Sequence, residues 1–309
     1  MNPVLVTGAS GFIGTHLVAN LLRQGLDVVA VSRTSGFQED KRHFRLDLCD
    51  TAAVQKLFRQ FKFSSVVHLA AAGVAQETEN FERLVAVNTL ATGAFARVAL
   101  ANKVQRFVYV GSAFEYRPQA HPMDESTPLG APNLYGASKA AGWMMLDSLF
   151  RLEGLPLVTL RPFSVYGPGE KPSKLVPYVI SQALRSEPIR LTLGSQVRDY
   201  VFVEDVVEAL RLGLTGPASP GQVYNVGSGP QEAKSVRQFV EDILALMSVP
   251  LRLCWFDGAA RSRLDPPYLV SDPTRAHIEL GWRPRVRFED GVARTLEWCK
   301  AAKVQEMSA

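Results

Sequence analysis

The sequence is poor in cysteine: Cys49, Cys254 and Cys299 stand far apart without CxxC spacing, which excludes a structural zinc site or a disulfide framework and predicts buried free thiols. Its five histidines form no HExxH or HxH pair, so metal catalysis has no candidate ligands. Charge of one sign is also missing. Lys and Arg total 34 against 30 Asp and Glu, a net +4 spread along the chain, too diffuse for a nucleic-acid footprint. No apolar run approaches the roughly 20 residues that cross a bilayer. The start, MNPVLVTGAS, lacks the basic flank and cleavage pattern of a signal peptide. A cytoplasmic location with no membrane partner is therefore expected. Repeats and low-complexity tracts are absent too. With 47% hydrophobic and 21% charged residues, intrinsic disorder is excluded as the main character, and 309 residues suggest about two domains.

In the first half, short β-branched runs alternate with helix-like stretches, the pattern of a parallel sheet covered by helices. Strands are expected at Val4 to Thr7, Val28 to Ser32, Val66 to Ala70, Phe107 to Gly111 and Leu157 to Arg161. These runs are continuously apolar, as strands buried on both faces are. Helices are expected at Phe12 to Arg23, Thr51 to Phe61, Phe81 to Ala101, Tyr135 to Leu152 and, near the end, Phe288 to Ala301. After Phe163 the rhythm breaks into SVYGPGEKPSKLVP. A domain change is placed there, with residues 1–165 as a nucleotide-binding domain and 166–309 mainly as a substrate lobe. Tyr200 to Val203 and Val223 to Val226 are expected to return to the sheet or its edge. The fold class is α/β: a Rossmann-like, doubly wound parallel sheet with a smaller C-terminal lobe.

Residues 4–14, VLVTGASGFIG, run from a strand through Gly8, Gly11 and Gly14 into a helix, and a second strand follows. Such glycines permit a tight turn, close backbone approach to a pyrophosphate and close helix packing, while the helix N-terminus presents free N–H groups to the anion. At the end of the second strand an acidic side chain would bond the adenosine ribose of NAD, and a basic one would accept the 2′-phosphate of NADP. Here stand Ser32 and Arg33, followed by Thr34. NADP(H) is favoured, with NAD(H) as the alternative. Asp47 and Leu48 follow a third expected strand, where they would border the adenine.

Tyr135 and Lys139 in YGASK lie four residues apart on an expected helix and share one face. An ammonium beside a phenol favours phenolate and makes the tyrosine a usable acid or base near neutral pH. Ser112 closes a strand in VYVGSAFEY.

With these motifs in order, the chain resembles the extended short-chain dehydrogenase/reductase family, in its nucleotide-sugar epimerase, dehydratase and reductase branch. TGASGFIG is similar to the family's dinucleotide turn, placing Gly8, Ser10, Gly11, Phe12, Ile13 and Gly14 on the cofactor. HLAAAG at 68–73 resembles its cofactor-lining strand end, with Leu69, Ala70 and Ala71; Asn88 in VNTLATG resembles its helix asparagine. Ser112, Tyr135 and Lys139 match its catalytic triad, in which Tyr135 exchanges the hydroxyl proton, Ser112 hydrogen-bonds the same oxygen and Lys139 holds the nicotinamide ribose. RPFSVYGPG at 161–169 resembles the crossing to the substrate lobe and brings Pro162 to the cofactor and Ser164 to the substrate, although many relatives carry Asn at the latter position. In VRDYVFVEDV at 197–206 and RSRLD at 261–265, Arg198 and Arg261 or Arg263 resemble the arginines that clamp a nucleotide diphosphate. Ion pairing with Asp199 or Asp265 is the competing role for these arginines. Lys174 and Leu175 would cover the base.

In the 4,6-dehydratases of this branch the catalytic Thr is followed by Asp and Glu. Here Ala113 and Phe114 follow Ser112, and neither can move a proton; Glu115 comes one residue out of register. A nucleotide-linked 4-keto-6-deoxyhexose reductase using NADPH is therefore the first expectation, with Ala113 and Phe114 beside the sugar. A 4-epimerase is second and a dehydratase last. A binding protein that had lost the chemistry would not need Ser112, Tyr135 and Lys139 together. The resemblance also implies a homodimer through the helices Phe81 to Ala101 and Tyr135 to Leu152, with Met144, Met145 and Phe150 serving either the interface or the core.

Overall fold

The computed structural model describes residues 2–33, 42–73, 80–257 and 265–308, with side chains through 301. The first half is built from strands β1 (Val4–Thr7), β2 (Val28–Ser32), β3 (His43–Arg45), β4 (Ser65–His68), β5 (Arg106–Val110) and β6 (Leu157–Pro162). Between them run helices α1 (Phe12–Arg23), α2 (Thr51–Gln60), α3 (Phe81–Leu84), α4 (Thr92–Ala101) and α5 (Leu134–Glu153). The second half adds the short strands β7 (Ser164–Tyr166), β8 (Ile189–Leu191), β9 (Val197–Arg198) and β10 (Tyr200–Phe202). Then come β11 (Val223–Val226), β12 (Lys234–Ser235), β13 (Cys254–Phe256) and β14 (Tyr268–Leu269). Its helices are α6 (Leu175–Arg185), α7 (Val203–Thr215), α8 (Val236–Leu246), α9 (Thr274–Glu279) and α10 (Phe288–Ser308).

The main sheet has seven strands in the order β3-β2-β1-β4-β5-β6-β11, and every pair is parallel. Its central strands are buried throughout, which is why they read as unbroken apolar runs. One face packs under α1, α7 and Trp282; the other packs under α2, α4 and α5 through Phe58, Phe95, Phe107 and Leu146. Chain order reverses between β1 and β4. In an open parallel sheet that reversal, at the carboxyl ends of the strands, is where ligands bind.

The expected return of Val223 to Val226 to the main sheet is observed, but Tyr200–Phe202 instead forms a two-stranded sheet with Ser164–Tyr166. These short pairs share a third core around Tyr166, Ile180, Phe202, Val240 and Ile243. Two other expectations need correction. Only Cys299 of the three thiols is buried; Cys49 is exposed and Cys254 half-buried. The stretch Phe81–Ala101 is continuously helical over 21 residues and is apolar enough, by length and composition, to cross a membrane. In this fold its Phe95, Ala96 and Ala99 are core residues of the sheet's second face. Within it, Val85–Ala91 is a π-helical turn, a local widening that often marks a functional position.

Candidate active site

The dinucleotide turn is shaped by what its glycines leave out. Gly8 has φ +67, and a Cβ there would fall 2.7 Å from the Ala70 amide nitrogen, so the turns after β1 and β4 touch backbone to backbone. A Cβ on Gly14 would fall 2.2 Å from the Gly8 carbonyl oxygen, which seats α1 against the turn. Gly11 is the N-cap of α1 and supplies no side-chain cap. The helix therefore offers its first N–H groups and its positive dipole end to an anion, at the end of a turn whose close packing Gly8 and Gly14 permit. A pyrophosphate fits this donor set.

Around the turn, Thr7 Oγ1 bonds His68 Nδ1 at 2.8 Å, and His68 Nε2 meets Thr92 Oγ1 at 3.1 Å. Burial, helped by the charge of Lys139, holds this imidazole down to about 3, so it is neutral and structural. Leu69, Ala70 and Ala71 are half-buried beside Gly8, as are Ser10, Phe12 and Ile13 at the start of α1. Phe12 and Ile13 also reach the core of the second lobe. One contact not anticipated from the sequence is His16, whose Nε2 lies 2.7 Å from the Pro168 carbonyl oxygen and ties α1 to the loop after β7.

At the end of β2, Ser32 is buried with its Oγ 2.7 Å from His43 Nε2, and Arg33 is exposed. Across from them Asp47 is exposed and Leu48 buried; the Arg33 charge is felt at Cys49 beside Asp47. Thr34 lies outside the described residues.

Ser112 ends the stretch after β5 and caps a single 3₁₀ turn, Ala113–Glu115. Its Oγ accepts Phe114 N–H at 3.2 Å, and the hydroxyl keeps its own proton to donate. Ala113 is buried and Phe114 is half-buried, edge-on to the Tyr135 ring at 6.4 Å. Tyr135 sits in the first turn of α5, behind an N-cap in which Asn133 Oδ1 accepts Gly136 N–H at 2.8 Å. Gly136 is a positioning residue missed from the sequence: a Cβ there would fall 2.0 Å from the Phe114 carbonyl oxygen. Only glycine lets the Tyr135 turn rest on the Ser112 turn.

One helical turn on, Lys139 is 2% exposed. Its Nζ donates to the Val110 carbonyl at 2.7 Å and lies 4.3 Å from the centre of the Tyr109 ring. Burial pulls this ammonium down to about 8, with Glu115 acting in the opposite sense. Asn88, placed on the cofactor by resemblance, sits in the π-helical turn as a clasp. Its Oδ1 accepts Ala72 N–H at 2.8 Å, and its Nδ2 donates to the Ala72 carbonyl and the Ser138 hydroxyl, each at 2.9 Å. It thereby joins the β4 turn to the catalytic helix. Gly142 allows this approach, since a Cβ there would fall 2.1 Å from the Asn88 carbonyl oxygen.

Glu115 is the one carboxylate of the Ser112 turn. It is fully buried, bonded to the Ser112 amide and paired with Arg161. Pro162 closes β6 and is buried; Ser164 is half-buried on β7.

On the second-lobe side, Arg198 is buried, with Nη1 donating to the Val197 carbonyl at 2.7 Å and Nη2 to the Pro266 carbonyl at 2.9 Å. It is also ion-paired to Asp265. Of the two competing partners considered, Asp265 is the one engaged. Asp199 instead accepts Gly229 N–H at 3.2 Å and Ser271 N–H at 3.0 Å, and burial pushes its carboxyl up to about 7 against those bonds. Lys174 caps α6 without a side-chain bond to it, and Leu175 begins that helix; both are half-buried. Glu170, not singled out from the sequence, lies within the electrostatic reach of Lys174 and Tyr200. Its Oε2 is buried without a hydrogen-bond partner, and burial pushes the carboxyl up to about 8. Arg261 and Arg263 lie outside the described residues. Among the described residues no cluster of metal-ligating side chains occurs.

The model of the NAD dependent epimerase/dehydratase family matches residues 4–227, and the chain belongs to that family. It is 33% identical to the UDP-glucose 4-epimerase of Mycolicibacterium smegmatis, over 95% of this chain and 97% of that one. It is 30% identical to the dTDP-D-glucose 4,6-dehydratase of Mus musculus, over 96% and 88%. Among solved structures, the dTDP-glucose 4,6-dehydratase DesIV of Streptomyces venezuelae, determined with NAD bound, superposes with a TM-score of 0.88 at 25% identity, covering 98% of each chain. The chain is thus an enzyme of a nucleotide-sugar-processing, nicotinamide-dependent family, with the Rossmann-like fold expected from its sequence.

Proposed function

We propose that the protein reduces the 4-keto group of a nucleotide-linked 4-keto-6-deoxyhexose, drawing its hydride from NADPH. The observation that carries this reading is the end of β2, where Ser32 and the exposed Arg33 stand in place of the carboxylate that would bond a free ribose 2′-hydroxyl. A guanidinium at that edge suits a phosphate, and a net reductase draws on the cellular NADPH pool. The residues after Ser112 support the same choice. Ala113 and Phe114 cannot carry out the proton transfers of a 4,6-elimination, and Glu115 is consumed in a buried pair.

When bound, a nicotinamide dinucleotide would supply the hydride, and the N-terminus of α1 would hold its pyrophosphate. The turns at Gly8 and Leu69–Ala71, with Pro162, would line it. Ser112 donates its hydroxyl proton to the substrate's carbonyl oxygen and steadies the developing alkoxide. Tyr135 delivers the proton to that oxygen as general acid, and the ammonium of Lys139 lowers the cost of the phenolate left behind. Arg198 would hold the diphosphate, with Arg261 or Arg263 as a further clamp; Lys174 and Leu175 would cover the base, and Ala113, Phe114 and Ser164 would border the sugar. Because Arg198 is paired with Asp265, the diphosphate must take its place against that carboxylate.

A second reading, a UDP-glucose 4-epimerase-like enzyme, is favoured by the relative of that activity at 33% identity. The same Ser112, Tyr135 and Lys139 would serve it. Purified protein supplied with a dTDP-4-keto-6-deoxyhexose and either NADPH or NADH separates the two. The proposal expects stoichiometric NADPH consumption and a 6-deoxyhexose product. Interconversion of UDP-hexoses with no net loss of cofactor, and NAD released on denaturation, would favour the epimerase.

We also propose a cytoplasmic homodimer. Leu90, Met144, Met145 and Leu152 are 51–84% exposed on neighbouring faces of the π-helical turn and α5, an apolar surface that a second copy would cover. Phe150, by contrast, packs into the core.

A further inference from the structure

The turn that carries Ser112 also carries a carboxylate for which hydride transfer has no evident need. Glu115 is fully buried, its Oε1 accepting Ser112 N–H at 2.8 Å and its Oε2 accepting Arg161 Nε–H at 2.6 Å. Gly111 makes room for it, since a Cβ there would fall 2.6 Å from Glu115 Oε1. Arg161 lies 4.7 Å from the ring centres of both Tyr116 and Trp143 and donates through Nη1 to the Tyr116 hydroxyl at 3.0 Å. Its Nη2 has no hydrogen-bond partner. A buried ion pair is a weak device for stability, because desolvation consumes most of the Coulomb gain. Its position suggests another use. Lys139 faces the neutral His68 from β4 and the Tyr109 ring from β5, and Tyr135 precedes it by one turn on the same helix. Glu115 is the one anion that acts on it among the described residues.

We propose that Glu115, anchored by Arg161, is a positioning residue of this site: it fixes the Ser112 backbone and supplies the buried counter-charge to the Lys139 ammonium. The proposal rests on the reading of Ser112, Tyr135 and Lys139 as the reacting group. Burial alone opposes the charge on Lys139, and Glu115 limits that loss. Without it the ammonium would be shed at lower pH, and Tyr135 would lose the charge that makes its phenol a usable acid.

Glu115→Gln keeps an oxygen for the Ser112 amide while removing the charge, but it leaves Arg161 unpaired in the core. The double variant Glu115→Gln/Arg161→Leu removes both charges and avoids that penalty. In cofactor-free protein labelled with 13C at lysine Cε, the Lys139 signal is identified by its loss in Lys139→Met and followed against pH by NMR. The expected result in Glu115→Gln is a midpoint lower by about one pH unit, a tenfold loss of proton affinity; in the double variant, where the Arg161 cation is removed as well, the midpoint falls in the same direction by less. The alkaline limb of the kcat profile should move down with it, while KM for the nucleotide sugar changes less than about threefold. A purely structural role would lower the melting temperature and leave the Lys139 midpoint in place, and that result overturns the proposal. A shifted midpoint in a protein that turns over no nucleotide sugar would uphold the electrostatic role and overturn the assigned reaction.

Discussion

Around Ser112, α5 approaches so closely that a methyl group on Gly136 would fall 2.0 Å from a backbone oxygen, and one on Gly142 at 2.1 Å. In the second lobe Arg198 is held by the Asp265 carboxylate and two backbone carbonyls, beside a segment outside the described residues. The first region is assembled by backbone contact, the second by charged side chains. On the proposed function, a diphosphate would rearrange the second, so that chemistry is preorganised and recognition requires an exchange of partners. Substitutions in the two regions should fail differently, the first in kcat and the second in KM.

The largest effect is expected at Tyr135. Tyr135→Phe removes the proposed general acid and should lower kcat by about 10³-fold, within the range for general acid–base catalysis, with cofactor affinity nearly unchanged in a fluorescence titration. Turnover at the wild-type rate would remove the catalytic assignment. Next comes Gly136→Ala, which forces α5 away from the Ser112 turn. It should destabilise the fold by about 1–3 kcal/mol, the usual cost of overpacking, and should depress kcat more than KM; a thermal melt and steady-state kinetics would read both.

The boundary between backbone and side-chain assembly is also the boundary of what the sequence disclosed. Val4–Thr7 followed by Gly8, Gly11 and Gly14 defined strand, turn and helix, because a fully buried parallel strand and a phosphate turn each constrain residue types at successive positions. Tyr135 and Lys139 were legible for the same reason, through helical spacing. Gly136, Gly142 and Gly111 were not, since close approach between segments distant in sequence leaves no local pattern. Glu115 was noticed but without its partner: nothing between residues 115 and 161 signals that the two charges meet. Tyr200–Phe202 looked like a main-sheet strand by composition, yet it pairs with β7, a choice set by tertiary packing around Tyr166 rather than by propensity. Cys49 was expected to be buried, but it follows a third strand too short to carry it into the core.

Two smaller effects sharpen the contrast. Arg33→Ala should weaken NADPH binding by about 10–100-fold, the worth of a charge-assisted contact, and leave NADH binding unchanged. Equal losses for both coenzymes would mean that Arg33 does not read the 2′-phosphate. In the second lobe, Arg198→Ala should raise KM by about tenfold with kcat largely retained. Asp265→Asn should act oppositely and lower KM by about two- to threefold, because the diphosphate then meets a weaker competitor. If Asp265→Asn raises KM instead, the carboxylate orients Arg198 rather than competing for it.

The most direct test follows the hydride itself. The protein is incubated with a nucleotide-linked 4-keto-6-deoxyhexose and NADPH deuterated at the transferable position of the nicotinamide ring, and the sugar is analysed by mass spectrometry and NMR. The account predicts a 6-deoxyhexose carrying deuterium at C4, formed in proportion to the NADPH consumed. The keto sugar recovered unreduced and unlabelled with the NADPH intact, while a UDP-hexose supplied in parallel is interconverted with its C4 epimer, would contradict it.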